Sequence, residues 1–174
     1  MQSKIWKSIG LCLFFFVFSC VLGPYSLSCI SGALLVALFS GTVQAPGYAF
    51  ISGFLYLIAG TFLPVLPDWN HGMTSGFGAL FGPSGGMLLV LPLTAFTVAL
   101  FQRIIIRKPV LNTLTGLAAG FVVFFGFGLL WYVIRAGAPD MGAMGTAFGL
   151  YGLFSLVVFL SGFVKNRSSR RSNS

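Results

Sequence analysis

The chain has 174 residues, of which 57% are hydrophobic and 7% charged, and its formal net charge is +8. A soluble domain carries about 25% charged residues because its water-facing surface needs them. Ten basic and two acidic side chains cannot cover a globule of 18.6 kDa with a mean hydropathy of +0.97. The composition excludes an ordinary cytosolic enzyme, a nucleic-acid-binding domain and a disordered chain, and it predicts an integral membrane protein.

Long, continuously apolar runs predict spanning helices, whereas a β-barrel would show alternating ten-residue segments. A spanning helix needs about 20 apolar residues, roughly 29 with its share of loop, so the chain has room for about six. We predict an all-α polytopic membrane protein with six transmembrane helices in a single domain, residues 1–164. The predicted spans are Ile9 to Leu22, Leu27 to Val43, Pro46 to Leu63, Gly86 to Phe101, Leu111 to Ile134, and Ala143 to Val164.

The distribution of basic residues predicts the topology. With the N-terminus inside, nine of the ten basic residues fall on the cytoplasmic side: Lys4, Lys7, Arg103, Arg107, Lys108, Lys165, Arg167, Arg170 and Arg171. The outer side keeps Arg135, His71, Asp68 and Asp140. Because Lys and Arg concentrate in cytoplasmic loops, we predict that both termini are cytoplasmic and that residues 165–174 form a basic, serine-rich tail. A cleaved signal peptide over residues 1–22 is the alternative, but it would leave five spans and scatter these charges.

The sequence contains no constellation typical of catalysis. It has one His and two Asp, all predicted at the outer face, and no HExxH or GxSxG motif. Ionisable residues inside spans are functional by default, and the predicted spans contain none. Cys12, Cys20 and Cys29 form no CxxC motif and are read as packing residues, with a Cys20–Cys29 disulfide as the alternative. We therefore predict no enzyme activity, metal or cofactor, and any use of ATP must come from another subunit.

One long connector, residues 64–86, is rich in Gly, Ser and Pro and is predicted to be non-helical. Non-helical backbone at membrane depth persists only where protein covers it or where it lines a cavity. A loop that re-enters from outside would present N–H groups and small hydroxyls to a ligand. The alternative is a flexible outer connector between two spans.

Residues 82–86, Gly-Pro-Ser-Gly-Gly, follow Leu63-Pro64-Val65-Leu66 and a Gly/Ser-rich stretch. This arrangement resembles the signature of the BioY family, the biotin-binding S components of energy-coupling factor (ECF) transporters. Gly23-Pro24-Tyr25-Ser26-Leu27, Pro46-Gly47 and Trp131 fall in the family's order. The resemblance covers most of residues 20–164. It implies a six-helix subunit that binds its vitamin near the outer face and pairs with a transmembrane coupling subunit and two ATPase subunits.

The resemblance also implies a binding site. Polar groups before residues 82–86 would contact the ureido ring of biotin, with Thr74 closest to the family's contact and Ser75 and Asn70 as neighbours. Aromatic residues such as Trp69, Phe77, Phe81 and Tyr151 would cover the apolar bicycle. The candidate substrate-binding residues are Asn70, Thr74, Ser75, Gly76, Gly82, Pro83, Ser84, Gly85, Gly86, Arg135, Asp140 and Tyr151.

The chain departs from the family where the biotin carboxylate would be held. The family's last helix carries an Asp and a Lys, and spacing from Trp131 puts those positions near Leu153 and Leu156. A basic residue that some members carry after Gly-Gly is also replaced, by Met87-Leu88. Arg135 and Asp140 are the candidate substitutes, because Arg binds a carboxylate in a bidentate fork. The alternative for Arg135 is an interfacial side chain that snorkels to water.

These observations predict a biotin-uptake subunit of the bacterial cytoplasmic membrane that captures biotin from outside. Its cytoplasmic basic groups would contact membrane lipid headgroups, and nucleic acid is not an expected partner. Two alternatives remain open. One is an S component for another vitamin such as lipoate, and the other is a membrane scaffold without transport function.

Overall fold

The computed structural model describes residues 2–22, 26–27, 30–63, 66–68, 72–74, 76–82, 85–104, 109–137 and 148–161. Its helices in these ranges are α1 Gln2–Leu22, α2 Gly32–Val43, α3 Pro46–Phe62, α4 Phe77–Phe81, α5 Gly85–Leu89, α6 Leu91–Ile104, α7 Pro109–Ala136 and α8 Phe148–Ser161. Two short antiparallel hairpins pair β1 Ser26–Leu27 with β2 Ile30–Ser31, and β3 Leu66–Asp68 with β4 Gly72–Thr74.

The all-α prediction is confirmed. A single turn residue, Val90, separates α5 from α6, so these two form one rod, and α1, α2, α3, α7 and α8 supply five more. The hairpins have strands of two or three residues and do not change the class. The tail at 165–174 lies outside the described residues, and the cytoplasmic placement of the termini stays a prediction.

The first predicted span lies within a longer helix, and the predicted start of the second span was wrong. Helix α1 begins at Gln2, because its polar first turns precede the apolar stretch, which starts at Ser8 beside the predicted Ile9. Helix α2 begins at Gly32 instead of Leu27, because Leu27 pairs with Ile30 in the first hairpin. Helix α3 starts at the predicted Pro46, a residue preorganised for the first helical turn.

The connector is more regular than predicted. Residues 66–68 pair with residues 72–74 in the second hairpin, with Leu66 opposite Thr74 and Asp68 opposite Gly72. Gly76, at φ 91°, then precedes the short helix α4. This left-handed backbone suits glycine, which has no Cβ to clash. Helix α5 opens at Gly85, one residue before the predicted start of the fourth span at Gly86.

Helix α6 lies at the centre of the bundle, against α2, α3 and α7. Ala95, Val98 and Ala99 on this helix are fully buried. Glycines allow the close approach: a Cβ on Gly41 of α2 would lie 2.7 Å from Val98 Cβ, and one on Gly120 of α7 would lie 2.7 Å from Val98 Cγ2. Small residues at such crossings are typical of helix packing in membranes.

The outer surface of the bundle is apolar. Leu13, Phe14 and Val17 of α1, and Val122, Leu130 and Ile134 of α7, are exposed. The stretches Gly85–Arg103 and Val110–Arg135 are long and apolar enough to cross a membrane, and four shorter apolar helices accompany them. Exposed apolar surface of this extent is what lipid contact requires.

Candidate functional site

The connector is fastened to the end of α3. The Gly76 N–H donates to the Gly60 carbonyl oxygen at 3.2 Å, so the chain that leaves α3 returns to the same helix end. This bond brings residues 76–82 to one end of the bundle, where α5 begins. The sequence placed the connector between two spans, and the structure adds its anchor on α3.

The signature segment, residues 82–86, is tied to α7 by a long-range hydrogen bond. The indole Nε1–H of Trp131 donates to the Gly82 carbonyl oxygen at 3.0 Å. The same oxygen accepts the Gly85 N–H at 3.0 Å, which closes a tight turn before α5. A carbonyl has two lone pairs, and both are used here.

Close packing reinforces this tie. A Cβ built on Gly86 would collide with Cβ and Cγ of Trp131, and one on Gly128 of α7 would lie 2.7 Å from Met87 Cγ. Gly85, Gly86 and Met87 are buried. The start of α5 therefore lies directly on α7, and each contact pairs a glycine of one helix with a large side chain of the other.

Arg135 joins the same cluster. It lies one turn after Trp131 on α7, exposed, with its Cζ 5.3 Å from the centre of the Trp131 ring. A guanidinium over an indole face is held by cation–π attraction, and its N–H donors stay free to bind an anion. The structure thus brings together Gly82, Gly85, Gly86 and Arg135 of the predicted site.

Tyr151 lies elsewhere, inside the bundle. Its hydroxyl donates to the Leu117 carbonyl oxygen at 2.9 Å, and it is 3% exposed. Its ring meets those of Phe121, Phe124 and Phe125. Phe124 precedes Trp131 by seven residues, so this aromatic cluster lies about 10 Å further along α7. The structure does not bring Tyr151 into contact with the signature segment.

The remaining predicted residues divide into two groups. Thr74 ends β4, where its backbone lies opposite Leu66. Asn70, Ser75, Pro83, Ser84 and Asp140 lie outside the described residues. Leu153 and Leu156, at the positions of the family's lost charges, are exposed on α8. Within the described residues no group of three or more His, Cys, Asp or Glu can hold a metal ion.

Trp131 was missed as a site residue. It entered the sequence interpretation only through its position in the fifth span, because its partner Gly82 lies 49 residues away. The sequence did offer one indication. Trp131 is an aromatic residue with an N–H group, and it lies near the end of an apolar span, four residues before Arg135. An indole that is half-buried normally finds an acceptor for its N–H, and the nearby glycine-rich segment offered one.

Comparison with known proteins gives three findings. The BioY family profile matches residues 2–166. The probable biotin transporter BioY of Bacillus subtilis (strain 168) is 30% identical over 97 residues, 55% of this chain and 50% of that protein. The matched stretch thus spans about half the length of this curated relative. A crystal structure of the S-component for biotin from an ECF-type ABC transporter superposes with a TM-score of 0.74 at 19% identity, over 98% of this chain and 94% of that one.

The fold comparison and the family match agree over nearly the whole chain. The protein is a membrane protein, as the transporter relatives and the apolar helices indicate. With its six helical rods, its signature segment at 82–86 and a family match from residue 2 to residue 166, the chain belongs to the BioY family.

Proposed function

We propose that this protein is the biotin-capture subunit, or S component, of an ECF-type transporter in the bacterial cytoplasmic membrane. The observation that carries the proposal is the docking of the signature segment on Trp131, beside Arg135, within a BioY-family fold. This arrangement combines backbone donors and acceptors with the guanidinium of Arg135 at a single end of the bundle. Biotin offers the matching groups, a ureido ring and a carboxylate.

The ureido side of the site is proposed to be the connector. Asn70, Thr74, Ser75 and the backbone from Gly76 to Gly86 supply short donors and acceptors for two N–H groups and one C=O. The Gly76–Gly60 and Trp131–Gly82 hydrogen bonds hold both ends of this stretch. Fixed polar groups cost less entropy on binding than mobile ones, which favours tight capture.

The carboxylate side is proposed to be Arg135, with Asp140 as its neighbour in sequence. The family's usual partners on the last helix are replaced by Leu153 and Leu156, whose side chains are exposed on α8. An Arg fork binds a carboxylate through two parallel hydrogen bonds. The aromatic residues of the connector are proposed to provide apolar surface for the bicycle.

Capture is proposed to take place at the outer face, with both termini in the cytoplasm. The signature segment and Arg135 lie at the end where α3 and α7 finish, whereas Arg103 lies in the last turn of α6. Uptake would need a transmembrane coupling subunit and two ATPase subunits, which provide the energy. The basic groups at the opposite end would contact lipid headgroups.

The test is equilibrium binding of labelled biotin to detergent-purified protein, with lipoate, desthiobiotin and biotin amide as competitors. A Kd near 10 nM corresponds to about 11 kcal/mol, which requires a deep, dehydrated site. We expect saturable binding with a nanomolar Kd. Desthiobiotin and biotin amide should displace the label less effectively than unlabelled biotin does. Folded protein that binds no biotin would contradict the proposal.

The apolar Leu153 and Leu156 positions favour one second candidate, an S component for another carboxylated vitamin. Lipoate also has an apolar body and a carboxylate, but it lacks the ureido group. If lipoate displaces all of the labelled biotin at a lower concentration than unlabelled biotin does, the ligand is lipoate instead of biotin. The protein would still be proposed as an S component. Absence of saturable binding for every vitamin tried would instead favour a membrane scaffold.

A further inference from the structure

Three structural contacts meet on one side chain, the indole of Trp131. Its N–H donates to the Gly82 carbonyl oxygen, its Cβ and Cγ lie against Gly86, and its ring carries the guanidinium of Arg135. The first two contacts fix the signature segment. The third holds the charged group that we assign to the carboxylate.

The N–H edge of the indole holds the signature segment in place. An indole has a single N–H donor, and here it is committed to Gly82 across 49 residues of chain. Because Gly82 O also accepts from Gly85 N, the turn that precedes α5 cannot shift without breaking one of these bonds. Trp131 therefore sets the height of the segment along α7.

The face of the indole orients the side chain of Arg135. Residues four apart on a helix are neighbours on its surface, and the guanidinium lies 5.3 Å from the ring centre. An exposed Arg has many rotamers, and stacking on a ring selects among them. One rigid side chain thus positions both groups to which we assign ligand contacts.

We propose that Trp131 is a positioning residue that sets the spacing between the signature segment and Arg135 and thereby selects ligands by the length of their acyl chain. The inference rests on the proposed function. The ligand class that it specifies is a cyclic urea whose carboxylate stands at the end of a chain of defined length. Trp131 acts through the segment and through Arg135, and it does not need to touch the ligand.

The test compares biotin with norbiotin and homobiotin, whose side chains are one methylene shorter and longer, and with biotin amide. Trp131→Phe keeps a ring face but loses the N–H, so we expect biotin affinity to fall by about three- to tenfold, the effect of one lost hydrogen bond. The preference for biotin over its amide should persist, since Arg135 still has a ring beneath it. Trp131→Leu should lose that preference and the chain-length preference as well.

Two further variants separate positioning from general destabilisation. Trp6→Phe is the matched control, because Trp6 is exposed on α1 and should leave every affinity and ratio unchanged. Gly86→Ala displaces the indole from the other side, since its Cβ would collide with Trp131. It should reduce the chain-length preference even if Trp131→Leu protein fails to fold.

Hydrogen exchange without ligand gives a readout that does not depend on biotin. Trp131→Phe should speed amide exchange over residues 76–86, and Trp6→Phe should not. Uniform loss of affinity for all four ligands in Trp131→Leu and Gly86→Ala, with their ratios unchanged, would overturn length selection. Wild-type protein that binds no biotin would contradict the proposed function, and unchanged exchange in Trp131→Phe would then overturn the positioning role separately.

Discussion

Arg135 is proposed to take over a role that the family resemblance assigns to the last helix. It is the one basic residue predicted on the outer side, and its guanidinium lies over the Trp131 ring, exposed and beside the signature segment. A stacked guanidinium keeps its fork of donors available for a carboxylate. In the proposed site Arg135 would therefore supply the cation that the apolar Leu153 and Leu156 cannot supply.

Replacing Arg135 by Gln should weaken biotin by about tenfold or more, because a charge-assisted hydrogen bond contributes about 1.5–3 kcal/mol. Biotin amide carries no charge, so its affinity should fall much less in this variant. Competition binding with the two ligands measures the difference. Arg103→Gln is the matched control, since Arg103 is also exposed and lies in the last turn of α6. Equal losses for acid and amide would remove Arg135 from carboxylate recognition.

The polar residues of the connector give a second prediction at this scale. Thr74→Ala and Ser75→Ala should each weaken biotin by about fivefold, the effect of one neutral hydrogen bond, while expression holds. Thr61→Ala serves as the control, because its hydroxyl bonds the Ile58 carbonyl of its own helix at 2.7 Å. Unchanged biotin affinity in both connector variants would move the ureido contacts elsewhere.

At the level of elements, the packing of neighbouring helices against α6 determines how close together the helices of the bundle lie. Gly41, Gly116 and Gly120 each bring a neighbouring helix onto Val98 or its carbonyl. Interiors packed at this density tolerate little added volume, and overpacking costs about 1–3 kcal/mol. The rigidity of α6 and α7 matters to the site, because α5 continues into α6 and Trp131 is carried by α7.

Gly41→Ala should therefore lower the thermal stability of the detergent-purified protein, by about 1–3 kcal/mol. Its Cβ would lie 2.8 Å from the Ala95 carbonyl oxygen, a backbone atom that cannot rotate away. Gly47→Ala is the control, with nothing within 4 Å of the added methyl group. If the Gly41→Ala protein has the same melting temperature as the wild type, α2 and α6 can move apart at little cost, and the prediction is wrong.

The elements that the sequence predicts well are those whose ends carry local signals. Helix α3 begins at Pro46 and α7 ends near Arg135, each within two residues of the prediction. The hairpins were missed because pairs such as Leu27 with Ile30 have no hydropathy pattern. The Trp131–Gly82 bond was missed for a different reason, since it joins residues 49 apart and depends on how two helices pack.

For the whole molecule, the exposed apolar surface indicates contact with lipid, and the charge distribution predicts which end of the bundle faces outward. Lipid-facing side chains such as Phe14, Val122 and Leu130 surround the bundle. The candidate site lies at the end that the charge distribution assigns to the outer side. Substrate capture from outside and coupling to cytoplasmic ATPases are then compatible with a single orientation.

Single-cysteine labelling in intact cells tests that orientation. In a background where Cys12, Cys20 and Cys29 are replaced by Ala, Gly137→Cys should react with a membrane-impermeant maleimide added from outside. Ser174→Cys should react only after the cells are lysed, because the tail is predicted to be cytoplasmic. The reverse pattern would invert the topology and place the site on the inner face.

The most direct test of the central claim is the structure of this protein with biotin bound. We predict the ureido ring within hydrogen-bond distance of the connector and the carboxylate on the guanidinium of Arg135. The Trp131–Gly82 hydrogen bond should remain in place. Biotin bound at another location, away from the connector and Arg135, would contradict the account.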